Sequence, residues 1–158
     1  FIWALAPLIA FTAEIKQGVG IQSLMTFGAG FSPLLILLAS FVNKKSEWKL
    51  SSFDFTCGAL SLMGLLLWYV TRIGDIAITF SILADGLAAL PTVVKSFRYP
   101  ETENSWVYLT GAISALLTLL TIDSWNFAQY GFPVYILIVC LIIFSLVQFK
   151  LGKMIKSV

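Results

Sequence analysis

Apolar residues run along this chain in six long blocks, each parted from the next by a few polar or glycine positions. The blocks are 1–15, 20–42, 53–71, 74–97, 105–122 and 132–151, lettered A to F. None alternates apolar and polar residues as a half-exposed strand does. In lipid, a backbone that does not close into a barrel must satisfy its hydrogen bonds within helices. The pattern therefore predicts an all-α polytopic membrane helix bundle with six visible transmembrane segments. Gly18 and Gly20 part A from B, and the polar run 43–47 parts B from C, with Ser51-Ser52-Phe53-Asp54 as a helix-start cap. Arg72-Ile73-Gly74-Asp75 makes a tight turn between C and D. Asp123-Ser124-Trp125-Asn126 and Gly131 part E from F. No linker is long enough for a separate soluble domain.

Composition agrees with the pattern. Hydrophobic residues make up 59% of the 158 and charged residues only 11%, with a mean hydropathy of +0.93. A soluble domain carries about 25% charged residues. Several blocks can cross ~30 Å of hydrocarbon at ~1.5 Å per residue. The net charge of +2 is too small to point to a nucleic-acid partner. Histidine is absent, so histidine catalysis and histidine-ligated metals are excluded. Cys57 and Cys140 stand alone in apolar runs and read as buried, inert thiols; neither zinc nor a disulfide framework is indicated. No nucleophile–base set, phosphate-binding loop or dinucleotide fingerprint occurs, so neither an enzyme nor a cofactor is expected.

Charge sets an orientation. Lys44, Lys45, Lys49, Lys95, Arg98, Lys150, Lys153 and Lys156 fall on one side of the expected bundle, and Lys16 and Arg72 on the other. The positive-inside rule puts the richer side, and the C-terminus with it, in the cytoplasm.

Chemistry concentrates in D. Asp85 lies about 15 Å along that helix, near the bilayer centre, where a carboxylate is costly and should face a polar interior. Ser81, Asp85, Ala88, Thr92 and Ser96 recur at three- and four-residue spacing, one small polar stripe. Asp85 is the expected group for substrate contact or proton exchange; the bland reading is a protonated Asp bonding a neighbouring helix. Pro91 removes a donor to the Leu87 carbonyl and predicts a kinked, broken helix leading into the basic turn of Lys95 and Arg98. Asp54, Asp75, Glu101, Glu103 and Asp123 sit at helix starts or turns, where capping and the helix dipole account for them. Glu14, two residues before Lys16, reads as solvated at the interface. Tyr108, Tyr135 and Trp3 lie deeper than the interfacial aromatics and are candidates for a binding pocket.

A repeat is legible in hydropathy and spacing. Shifting A–B by about 105 onto E–F places Trp3 on Tyr108 and Phe31 on Ile136. Segment A would rise only about 22 Å, so its helix is expected to begin before Phe1. D then lacks a counterpart, which would be a further helix upstream. The plan is three helices, a linker helix (C) and three more, with the two triplets parallel. In residue numbers, 1–42 holds the last two helices of the first repeat and 53–71 the linker. The second repeat is 74–151, and 152–158 is a cytoplasmic tail.

The run Leu90-Pro91-Thr92-Val93-Val94-Lys95-Ser96-Phe97-Arg98-Tyr99-Pro100 resembles the signature of the PQ-loop superfamily, at the cytoplasmic end of the first helix of a triplet. That superfamily includes SWEET sugar transporters, lysosomal amino-acid exporters and KDEL receptors. Thr92 stands where the family has glutamine, and the centres of B and F lack the asparagine and tryptophan of the sugar carriers. The resemblance implies a SWEET-like transporter working by alternating access, with Pro91 and Pro7 as hinges. Its cargo would be a small polar solute: a sugar, amino acid, vitamin or nucleoside. The alternative is a non-transporting receptor or structural subunit, partnered by copies of itself or by a larger membrane complex.

Overall fold

Six helices follow the apolar blocks in order. The computed structural model describes residues 2–42 and 52–156. Helices α1 (Ile2–Lys16), α2 (Ser23–Val42), α3 (Ser52–Thr71), α4 (Gly74–Arg98), α5 (Ser105–Leu120) and α6 (Phe127–Gln148) are joined by a 3-10 turn at Pro100–Thr102 and a short α7 (Leu151–Lys156). The described residues contain no strand. Two helices, α4 and α6, are long and apolar enough to cross a membrane; the apolar stretches Ser23–Leu35 and Ser105–Leu120 are shorter. Lys44, Lys45, Lys49, the polar run around them and the Ser51 cap lie outside the described residues, as do the side chains of Trp3 and Cys57.

Local chemistry moves several expected boundaries. The α6 helix begins at Phe127, ahead of the expected 132, because the Asn126 side chain caps it and accepts from the Gln129 backbone N–H at 3.1 Å. Gly131 is thus buried inside a helix. The expected break at Pro91 is absent, for α4 is one continuous helix from Gly74 to Arg98. Proline removes one hydrogen bond, and packing of α4 along α1, α3 and α6 holds the turns on either side. Pro100–Thr102 forms a 3-10 turn ahead of α5, whose cap is Asn104, accepting from the Trp106 N–H at 3.1 Å. The expected tail is helical through Lys156 and docked: a Cβ on Gly152 would overlap the Phe97 carbonyl, so only glycine lets α7 lie this close to the end of α4.

The packing is small inside and large outside. Within the bundle α6 stands between α4 and α5, while α1 bridges α2 and α4. Ala10, Ala13, Ala77 and Ala115 are fully buried at these crossings, whereas Leu38, Leu66, Leu83, Leu117 and Leu120 point outward. Small residues at helix contacts and large apolar ones outside are the arrangement lipid favours, since packing there gains nothing from hiding leucine.

The two ends differ in charge. At one end, Lys95 pairs with Glu103 at 2.8 Å and Lys153 with Glu101 at 2.9 Å, bringing the α4–α5 turn and α7 together. These partners, rather than capping, account for both glutamates. At the other end, Arg72 adopts a left-handed backbone (φ 61) in the tight α3–α4 turn and lies 4.7 Å from the centre of the Tyr69 ring.

Candidate functional site

Four helices leave a cavity of about 550 Å³ between them. Each supplies one face at helical spacing. From α4 come Asp85, Ala89 and Thr92; from α5, Tyr108, Gly111 and Ser114. The α6 wall is Ile136, Cys140 and Ile143, and the α2 wall Met25, Ala29 and Ser32. Gly111 allows the close approach of α5 to α6, since a Cβ there would meet the Cys140 Sγ at 2.9 Å.

Asp85 is the charged residue in this lining. Its side chain is held from across the helix interface, where the Tyr135 hydroxyl donates to Oδ2 at 2.7 Å. Tyr135 is steadied in turn by Phe132, edge to face at 5.7 Å, and Phe132 is wholly buried. The packing thus presets the carboxylate at Oδ2, and the residue is 9% exposed.

A second chain of bonds leads from the cavity to the basic end. The Tyr108 hydroxyl donates to Glu103 Oε2 at 2.8 Å, and Lys95 Nζ donates to Glu103 Oε1 at 2.8 Å. The hydrogen bond from Lys95 holds the Glu103 carboxyl below the usual carboxylate range, with Tyr108 adding to it. The bond from Lys153 does the same for Glu101.

Of the residues expected from the sequence, the fold brings Asp85, Thr92, Tyr108 and Tyr135 together at one place. Others lie elsewhere. Ser81 is fully buried, with no hydrogen-bond partner for Oγ, and does not line the cavity. Pro7 is buried in α1. Pro91 and Arg98 share an outward stripe with Leu90 and Val94, and Lys95 is occupied by Glu103. Cys140, read as inert, borders the cavity, as do the hydroxyls of Ser32 and Ser114. Their signal was periodicity: 108, 111 and 114, and 136, 140 and 143, each trace one helix face.

Glu14 corrects the reading of it as an interfacial acid. It is 1% exposed, its Oε1 accepts from Thr26 Oγ1 at 3.0 Å, and its Oε2 has no hydrogen-bond partner. The chain doubles back just beyond it at Gly18 (φ 79), and the buried Val19 donates its N–H to the Glu14 carbonyl at 3.0 Å. The end of α1 is therefore roofed by its own turn.

No group of three or more His, Cys, Asp or Glu side chains able to hold a metal occurs among the described residues. Comparison with protein-family models, curated proteins and solved structures finds no match.

Proposed function

We propose that this chain is a multi-pass membrane transporter that moves a small solute by alternating access, with Asp85 meeting the solute or exchanging a proton. The observation that carries the reading is the Asp85–Tyr135 pair at the wall of a 550 Å³ cavity between four helices. Small-molecule sites are of about this size, some 300–1,000 Å³. An acid at mid-membrane costs about 2.5–3.5 kcal/mol on insertion scales, so a fold that keeps one beside an open space has a use for it.

In this reading α1 to α6 each cross the bilayer, with the basic end and the C-terminus in the cytoplasm. The α1–α2 and α5–α6 hairpins are equivalent parts of two parallel repeats, and α3 links them. The Gln22 side-chain amide donates to the Thr121 carbonyl at 2.6 Å, tying the start of α2 to the end of α5. In this reading that bond holds the outer ends of α2 and α5 together, while the lining runs along α4 and α5 toward the basic end at Thr92 and Tyr108. Alternating access requires that bond to break, and the Lys95–Glu103–Tyr108 chain is placed to respond at the opposite end.

Vesicles enclosing a pH-sensitive dye and carrying the reconstituted protein test this. Addition of the right solute should move protons across the wild-type membrane, and Asp85→Asn should bind solute without moving them. A mutant matching wild type in flux and pH dependence would remove Asp85 from the mechanism. Silence of wild type toward sugars, nucleosides, vitamins, amino acids and amines, with a stoichiometric partner retained after gentle solubilisation, would replace the transporter with a subunit of a larger assembly.

A further inference from the structure

We infer that α7 is a strap that holds the basic end of the cavity closed and swings away when that end opens. This adds regulation to the site proposed above, and rests on that reading for its use in transport but not for the strap itself. Position is the first argument. Thr92 of α4, Tyr108 of α5 and Ile143 of α6 are the lining residues nearest the basic end. Four residues farther along, Ser96 and Val147 are buried, as is Pro100 in the turn that follows α4. Beyond them comes α7, packed against α4 and α6, with Gly152 buried against the Phe97 carbonyl.

The ties between these parts are the second argument. Lys153 of α7 pairs with Glu101 in the α4–α5 turn at 2.9 Å. Two residues on, Glu103 pairs with Lys95 of α4 and accepts from Tyr108 at the cavity wall. The Ser105 hydroxyl donates to Gln148 Oε1 at 2.9 Å, joining the start of α5 to the end of α6. Through the turn, α7 is thus linked to all three helices that bound this end of the cavity.

The balance of forces is the third. The Lys153 and Glu101 side chains are both about half exposed, so water screens their attraction. Lys150 holds a left-handed backbone (φ 51), which non-glycine residues seldom adopt, so the chain leaves the line of α6 at some cost. Against that cost stand one close steric fit, at Gly152, and a screened ion pair. A helix held this way is poised to release, unlike α1, whose alanines are sealed against α4.

Cys140 borders the cavity and reports on the strap without any need for transport. With Cys57→Ser it is the sole thiol of the chain, and a water-soluble maleimide measures access to it in the detergent-solubilised protein. Lys153→Glu, which repels Glu101, should speed labelling about fivefold. Its Tm should stay within about 4 °C of the parent, so that global unfolding does not account for the rate. Reversing the pair, with Glu101→Lys added, should restore slow labelling. Gly152→Leu, which cannot lie against the Phe97 carbonyl, should speed it about tenfold or more. Unchanged rates in Lys153→Glu and Gly152→Leu, a fast rate that the reversed pair does not slow, or a parent labelled as fast as unfolded chain would overturn the inference. Vesicle flux separates the two readings. Strap-dependent labelling without flux of any solute leaves the inference standing and removes the transporter, whereas flux with labelling indifferent to α7 does the reverse.

Discussion

Glu14 and Asp85 are both acids buried on apolar helices, with 1% and 9% of their surface exposed, yet their surroundings differ in kind. Glu14 is sealed where α1 meets α2, with a single hydroxyl, Thr26, against one oxygen. Asp85 borders a space large enough for a ligand, and its oxygen is preset by a tyrosine from another helix. Burial is therefore not what makes a site here. A sealed carboxyl can only tie two helices together, while one that opens on a cavity can exchange its partner for a proton or a cation.

If that distinction holds, substitutions at the two acids should damage different properties. Glu14→Ala removes a buried side chain and strands the Thr26 hydroxyl, and should lower stability by about 2–4 kcal/mol. Glu14→Gln, of the same shape, should fold and keep wild-type flux. Thermal unfolding and flux measured together check this, and a Glu14→Gln protein that folds but carries nothing would erase the contrast with Asp85. The next effect is smaller and sharpens the Asp85 side. Tyr135→Phe takes away the donor to Oδ2 and should weaken binding of the transported solute about tenfold, equivalent to ~1.4 kcal/mol, by titration calorimetry. Unchanged affinity would mean that the tyrosine does not position the carboxylate.

The smallest effect belongs to the acids outside the bundle interior. Pairing with Lys95 lowers the Glu103 carboxyl in the folded protein. Its contribution is thus complete above the ordinary carboxylate range, near about pH 4.3, and is lost as pH falls through the lower folded-state value. Exposed pairs of this kind contribute ~1 kcal/mol at most. Glu103→Gln should unfold slightly earlier than wild type at neutral pH, and the gap should close in acid. A gap that widened in acid would reverse the sign and dismiss the Lys95 pair as its cause.

The residues show why some of this was legible and some was not. Asp85 and Thr92 fall on one face of α4 by helical periodicity alone, and both reach the cavity. Ser81 and Ser96 continue the same face but are buried between helices, because a stripe read along one helix does not say where its neighbours stand. Tyr135 stood out for its depth, yet its partner was hidden, as 50 residues separate it from Asp85. Gln22 and Thr121 gave no signal at all, since one is a turn residue and the bond uses the other's backbone. Pro91 misled, because proline's cost is local and the contacts of α4 outweigh it.

Hydropathy, a property of consecutive residues, determined by itself the all-helical class, the order of the elements and the difference in charge between the ends. Which acid is sealed and which faces open space was decided by how the helices cross. The 3.6-residue period places a side chain on a face, but only the packing of α2, α5 and α6 around α4 leaves a void beside Asp85. The turn at Gly18 and the α2 helix close over Glu14 instead.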